Sequence, residues 1–387
     1  MHDIVIPGHT AWLADPAVQE ILRLVREAGY EIYFVGGCVR NALVGGPDTD
    51  VDLSTNARPE TVMEIAQVAG MKAVPTGISH GTVTVVSRGT GYEITTFRRD
   101  VETDGRRAVV AFSDSLEDDA RRRDFTMNAL YAAWDGQVID PLGGVPDARA
   151  GRVRFIDDAA ARIKEDYLRI LRFFRFNAWY GQPGQGLDPE ALAAIAQNLD
   201  GLETLPAERV GQEMQKLLAA PDPAPSIAVM RQVGALHKVL PGADDQWLAP
   251  LVHGENEAGV PISWLTRLAA IGGDEPTQRF RLSRQSAKRL DLLREVSGAG
   301  PSLVELSYRH GQDVGEAVLL LRAASAGNAP TRAEVLAVAA ASNATFPLRA
   351  QDLMPTYSGR ELGEKLEALE AKWIASNFQL TAQDLLG

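Results

Sequence analysis

YFVGGCVRNALVGGPDTDVDLST, residues Tyr33–Thr55, carries the pattern from which the rest of the chain is read. An apolar run ends in Gly36-Gly37, a short helical segment follows, Gly45-Gly46-Pro47 breaks it, and carboxylates then alternate with apolar residues. The alternation predicts a strand over Thr49–Leu53, with Asp50 and Asp52 on one face, ~6.5–7 Å apart along the chain. Two hard oxygen ligands at that spacing suit a pair of Mg²⁺ ions. Asp48 has the same parity but falls in the Gly/Pro turn and is set aside as a ligand. Backbone N–H groups at Gly36 and Gly37, opening a helix, can face a phosphate, and the Arg40 fork can reach the same anion. Each feature alone has a plainer reading: a polar strand face for D-x-D, a tight turn for the glycine pair, a surface arginine for Arg40. Together they describe one site for a nucleoside triphosphate and metal.

Outward from this stretch, the spacing predicts helices over Asp15–Ala28, Cys38–Val44 and Pro59–Ala69, and a strand over Glu31–Val35. It also predicts a hairpin of Gly81–Ser87 with Tyr92–Phe97 about the Gly89-Thr90-Gly91 turn. Glu93, at the start of the second hairpin strand, is the third candidate carboxylate. From about Ala148 the pattern is helical, with no strand run beyond Val153–Ile156, and breaks at Gly/Pro clusters. The fold class expected is therefore α+β: an α/β head with a small mixed sheet, then a long all-helical remainder. Residues 1–145 are taken as the head, 146–240 as a helical segment with a base-reading helix, and 241–387 as further helices.

Two later segments add chemistry. In Arg121–Leu130, RRRDFTMNAL, Arg123 beside Asp124 is a candidate phosphate or ribose contact, while Arg121 reads as a basic helix edge. In Lys164–Phe176, KEDYLRILRFFRF, one continuous helix would carry an apolar stripe through Ile163, Tyr167, Ile170, Leu171, Phe174 and Ala178. Asp166, Arg169, Arg172 and Arg175 follow at three-residue steps on the opposite face. A carboxylate that accepts from an exocyclic amine, beside a guanidinium that donates to a ring nitrogen, matches cytosine and adenine and rejects uracil and guanine. The plainer reading is an i,i+3 surface ion pair.

The 387 residues carry a net charge of -12, 45% hydrophobic and 23% charged residues, and one cysteine, Cys38. The cysteine count excludes a disulfide framework and any cysteine-based zinc site. No apolar run reaches ~18 residues and the N-terminus lacks a signal-peptide pattern, so neither a membrane span nor a membrane partner is expected and a cytoplasmic location is. Against the acidic total stand two basic runs. Arg149–Trp179 has eight Arg/Lys against four acids, and Arg279–Arg294 has six against one. The second is far from the nucleotide motifs and reads either as an RNA-backbone contact or as a solvated helix face.

These motifs in this order resemble the class II tRNA nucleotidyltransferases, the CCA-adding enzymes of the polymerase-beta-like superfamily. The resemblance runs over Tyr33–Phe176, through GGCVRNALVGGPDTDVDLST, TGISHGTVTVV (Thr76–Val86), YEITTFR with DGRR (Asp104–Arg107), RRDFTMNAL and EDYLRILRFFRF. It implies a head, neck, body and tail arrangement. It also implies C, C and A added to the tRNA 3′ end from CTP and ATP, with pyrophosphate released. Asp50 and Asp52 would hold Mg²⁺, with Glu93 as third catalytic carboxylate. Gly36, Gly37 and Arg40 would contact the triphosphate and Arg123 the nucleotide. Asp166 and Arg169 would template the base, supported by Arg172 and Arg175. The partner implied is tRNA; DNA is not expected. Asn41 stands where the family usually has aspartate. Poly(A) polymerases share the GG-R and D-x-D motifs, but carry a basic stretch where this chain has Gly77–Thr82, and tend to end in a basic tail. A CC-only or A-only enzyme, differing partly in a flexible loop here placed at Asp100–Phe112, stays open, as does an inactive tRNA-binding relative.

Overall fold

The computed structural model describes residues 4–387 except 48, 105, 106, 299 and 355, and no side chain between 100 and 110. The chain divides into two compact units: Met1–Glu213 with Gln232–Val239, and Met214–Arg231 with Leu240–Gly387.

The first unit is built on a seven-stranded mixed sheet of β1 (Ile32–Val35), β2 (Asp52–Thr55), β3 (Lys72–Gly77), β4 (Thr82–Ser87), β5 (Thr90–Thr96), β8 (Tyr131–Ala132) and β9 (Val138–Ile139), in the order β3-β4-β5-β2-β1-β8-β9. β2 is central, antiparallel to β1 and parallel to β5. The expected β4–β5 hairpin is present. One sheet face buries Ile32, Phe34, Leu53, Val83, Val85 and Ile94. The Pro16–Glu27 and Pro59–Val68 helices lie in contact with it. Val18, Ile21, Leu22 and Val25 make the apolar stripe of the first, which Asp15 caps through the Ala17 amide. The other face carries Asp52, Ser54 and Glu93 and holds the candidate site.

Three sequence expectations change. The strand expected over Thr49–Leu53 is Asp52–Thr55, because its last β1 partner is Val35. Beyond Val35 the neighbouring chain turns at Gly36, so Thr49–Val51 have no β1 backbone to pair with. Asp50 thus precedes the strand rather than sharing its face pattern, and Asp48 lies outside the described residues. Asp100–Phe112, expected as a flexible loop, belongs to a two-stranded antiparallel ribbon, β6 (Arg98–Asp104) with β7 (Arg107–Phe112). Gly105 and Arg106 of the DGRR motif fall outside the described residues. At Val153–Ile156 a single bridge, Phe125 to Phe155, replaces a strand.

The second unit is helical. Leu248–Ala258, Trp264–Ile271, Arg284–Val296, Leu303–His310 and Gln312–Ser325 contribute to one apolar core through Leu251, Ala270, Leu293, Leu306, Val314 and Val318. A second cluster gathers around Trp373, with Leu348, Leu353, Leu369, Ile374 and Leu385.

Candidate active site

Strand register brings the first group together. Asp52 opposes Val35, the residue before Gly36-Gly37, and on its other side stands next to Glu93 of β5. Gly36 has φ +75°, where an L side chain is strained, and an added Cβ would lie 3.4 Å from Arg123 Nη1. At Gly37 an added Cβ would come within 3.1 Å of the Thr49 side chain. Both glycines therefore let the turn pass close to Arg123 and Thr49, while the Gly36 N–H itself donates to the Leu130 carbonyl at 2.9 Å.

Asp52 and Glu93 are exposed at this corner, as is Asp50. Local burial, then Glu93 and Asp50, hold the Asp52 carboxyl above the ordinary aspartate value, while Arg123 pulls it back. The neighbouring Cys38 thiol, buried against the Val35 carbonyl, is pushed up to about 11 by burial and then by Asp52. Among the described residues no three of His, Cys, Asp and Glu stand together as a metal cage. The donor chemistry still suits Mg²⁺, which usually takes one or two carboxylates together with substrate phosphates.

Arg123 overlooks this corner on a buried anchor. Its Nη2 donates to Asp119 Oδ2 at 3.1 Å and its Nε to the Tyr131 hydroxyl at 3.2 Å. Tyr131 and Ser54 donate to the same Asp119 oxygen, at 2.8 and 3.3 Å. Burial opposes the Asp119 charge, but Arg123 and Tyr131 hold its carboxyl below the ordinary value. Sequence reasoning passed over Asp119; its signal was the i,i+4 spacing to Arg123.

Arg40 is placed differently from its expected role. It is 5% exposed, and all three of its nitrogens are engaged by protein: Nε with Asn41 Oδ1 at 3.0 Å, Nη1 with Asn128 Oδ1, and Nη2 with the Tyr180 hydroxyl at 2.7 Å. Its guanidinium lies over the Tyr180 ring, 4.1 Å from the centroid. Burial lowers its pKa. Asn41 does what its polarity allows without a charge: it accepts from Arg40 and donates to the Pro47 carbonyl, tying the Gly45–Pro47 turn.

The basic helix is also reshaped. It is two helices, Ala159–Glu165 and Leu168–Tyr180, and Asp166 sits in the break with extended backbone (φ −153°, ψ 104°). Asp166 Oδ1 accepts from the Leu168 amide at 3.1 Å, a local turn contact of the kind aspartate makes two residues on. Tyr167 packs against Gly201, where an added Cβ would fall 2.0 Å from the ring. Asp166 and Arg169 are not paired with each other. Asp166 Oδ2 takes Arg209 at 2.8 Å. Arg169 donates to Glu165 at 2.5 Å and to the Arg162 and Arg122 carbonyls at 2.8 and 3.0 Å. Arg172 donates to Asp124 Oδ2 from Nε at 2.7 Å and forms a 2.6 Å ion pair with it from Nη2, and Arg175 donates to Glu213 at 2.6 Å. Asn128 bridges Asp124 to Arg40. Arg40, Arg172 and Arg175 surround the buried Phe176 ring at 5.2, 5.3 and 4.5 Å. Glu213, Tyr180 and Arg209 gave no sequence signal, because each meets its partner only through the tertiary fold.

Comparison with known proteins places the chain. Residues 32–154 match the model of the Poly A polymerase head domain, and 186–246 that of the probable RNA and SrmB-binding site of polymerase A. The chain is 41% identical over 240 residues to a CCA-adding enzyme of Geobacillus thermodenitrificans, covering 60% of this chain and 57% of that one. It is 32% identical over 382 residues to the mitochondrial CCA tRNA nucleotidyltransferase 1 of Danio rerio, covering 92% and 86%. The crystal structure of the Bacillus stearothermophilus CCA-adding enzyme with CTP aligns over 94% of both chains, with 28% identity and a TM-score of 0.72. The Thermotoga maritima enzyme with tRNA shares the fold at 20% identity, covering 100% of this chain and 98% of that one, with a TM-score of 0.71.

Proposed function

The chain belongs to the CCA-adding enzymes, the CCA tRNA nucleotidyltransferases, and from that premise we propose that it adds C, C and A to the 3′ end of tRNA, from CTP and ATP, with release of pyrophosphate. The observation that carries this reading is the register that sets Asp52 beside Glu93 and opposite the residue before Gly36-Gly37. Asp50 and Asp52 would hold Mg²⁺, with Glu93 as the third catalytic carboxylate beside them; the ion when bound favours ionisation of the tRNA 3′-hydroxyl and offsets charge on the leaving pyrophosphate. The Gly37 amide at the helix start receives the triphosphate, Gly36 making the turn with its own N–H spent on the Leu130 carbonyl, and Arg123, held by Asp119 and Tyr131, faces the nucleotide. Arg40 serves the turn from beneath, through Asn128 and Tyr180, rather than by touching phosphate.

Asp166 and Arg169 template the base. To do so each exchanges a protein partner for a base edge: Asp166 leaves Arg209, and Arg169 leaves Glu165 or a carbonyl. Arg172 and Arg175, clamped by Asp124 and Glu213, keep the helix that carries Arg169 in place. We keep the division into a head (1–145), neck (146–240), and body with tail (241–387) as part of the proposal, with a cytoplasmic location. No described helix is long and apolar enough to cross a membrane.

The deciding experiment offers the purified chain a tRNA transcript ending before CCA with each labelled triphosphate. C followed by A is the expected product. Long A tracts on any RNA would make it a poly(A) polymerase, and C alone or A alone a partial adder. Asp52→Asn should lower incorporation on the order of 10³-fold, the scale of losing a group that stabilises transition-state charge. Arg169→Ala should lose preference for C and A over U and G; full selectivity in that variant would remove Arg169 from the templating role.

A further inference from the structure

A cavity of about 460 Å³ lies within the second unit, lined among others by Ile262, Trp264, Ser286, Arg289, Asp313 and Glu316. This volume is in the range of small-molecule and cofactor sites. Its walls differ in chemistry. One side is the loop entering the Trp264–Ile271 helix, with Ile262 49% exposed. A second side is the Gln312–Ser325 helix, which brings Asp313 and Glu316. The third is the Arg284–Val296 helix, which brings Ser286 and Arg289.

Arg289 and Asp313 meet inside this lining at 2.9 Å, with side chains 23% and 79% exposed. One end of the guanidinium is thus used, and its other N–H groups and the outer carboxylate oxygen stay available. Arg284 and Lys288 lie on the same helix as Arg289, and Arg281 lies in the turn just before its Ser283 cap. Arg281, Arg284 and Lys288 are exposed, and among the described residues they make no ion pair. Arg284 and Lys288 are one helical turn apart, ~6 Å along the axis.

We propose that this cavity is an RNA subsite that takes one unstacked nucleobase with an exocyclic amine, while the adjoining phosphates lie on Arg284 and Lys288. The proposal rests on the tRNA reading above. The division of charge sets the orientation. A phosphate is repelled by Asp313 and Glu316 and attracted by Arg284 and Lys288, so the base enters and the backbone stays on the helix surface. Inside, Asp313 accepts from the amine, Arg289 donates to an adjacent ring nitrogen or carbonyl, and the Ile262 and Trp264 side offers an apolar face. Unstacked RNA bases are commonly recognised by this combination of stacking and edge hydrogen bonds.

The test is equilibrium binding of the full chain to the same transcript ending before CCA, at several salt concentrations. Ile262→Glu is expected to weaken binding at least tenfold without changing the salt slope, because no phosphate contact is lost. Arg284→Glu with Lys288→Glu is expected to weaken binding and flatten the slope by roughly 0.7–0.9 per lost phosphate contact. Asp313→Ala removes a negative charge, so an idle cavity predicts equal or tighter RNA binding, whereas a base held there predicts weaker binding by about five- to tenfold. This second variant keeps the inference testable if Ile262→Glu perturbs folding. Unchanged or tighter binding in both cavity variants would overturn the subsite. If the wild type still adds C and A in that case, the subsite alone is wrong; if the wild type adds neither, the functional reading fails first.

Discussion

The cluster around Phe176 and the surface of the Arg284–Val296 helix use the same side chain in opposite ways. Arg40, Arg172 and Arg175 surround one phenyl ring and are paired to Asn128, Asp124 and Glu213. Arg284 and Lys288 are exposed and have no ion-pair partner among the described residues. In sequence Arg172 and Arg175 lie in one basic run and Arg284 and Lys288 in the other. Their difference is where the countercharge resides: inside the fold for the first, in an external anion for the second. A guanidinium whose N–H groups are taken up by buried carboxylates, amides or hydroxyls is a structural group, and one that faces water is free to exchange counterions for phosphate.

That contrast is open to mutation. The largest loss of stability should come from Arg267→Met. Arg267 is buried and donates to Glu255 and to the Leu218, Ala220 and Pro221 carbonyls at the end of the Ala207–Leu218 helix. Its loss leaves Glu255 buried without a countercharge and should cost about 3–5 kcal/mol in denaturant unfolding. Adding Glu255→Leu should recover much of it. The pH response follows from Glu255, whose carboxyl burial already holds above the ordinary value despite Arg267. Without Arg267 it should rise further. The folded form then keeps its proton at pH values where the unfolded form has lost it, so the variant's deficit should shrink as pH falls through that window. A pH-independent deficit would show that Glu255 is not the group left uncompensated.

Glu213→Ala should cost about 3 kcal/mol by the same route, since it strands Arg175 and loosens Arg172. It should also erode C and A selection. Unchanged selection would mean that this clamp does not position the base-reading helix. Tyr180→Phe removes only the hydroxyl that accepts from Arg40 and should cost about 1.5 kcal/mol. Arg284→Glu with Lys288→Glu should move stability by less than ~0.5 kcal/mol. A stability loss as large as that of Glu213→Ala would erase the distinction between the two regions.

The linear order of residues was enough for a good part of this molecule. Strong amphipathic spacing marked the Pro16–Glu27 helix, and turn chemistry marked the β4–β5 hairpin. The strand–Gly-Gly–helix pattern and the D-x-D pair mark the candidate site, because local backbone chemistry restricts what glycine and alternating carboxylates can do. Periodicity failed where a single residue broke a repeat. Asp166 takes extended backbone and turns its carboxylate onto the Leu168 amide, and so interrupts a run that otherwise reads as one helix.

What only the tertiary structure decided is which charges are already spent. Asp119 under Arg123, Glu213 between Arg172 and Arg175, and Tyr180 against Arg40 are separated in sequence by as little as 4 and as much as 140 positions. Sequence spacing can propose that an arginine is suited to an anion. Whether that anion is a neighbouring carboxylate or an incoming phosphate depends on distance and burial, because Coulomb energy and desolvation depend on where the chain has brought the charges, not on their order along it.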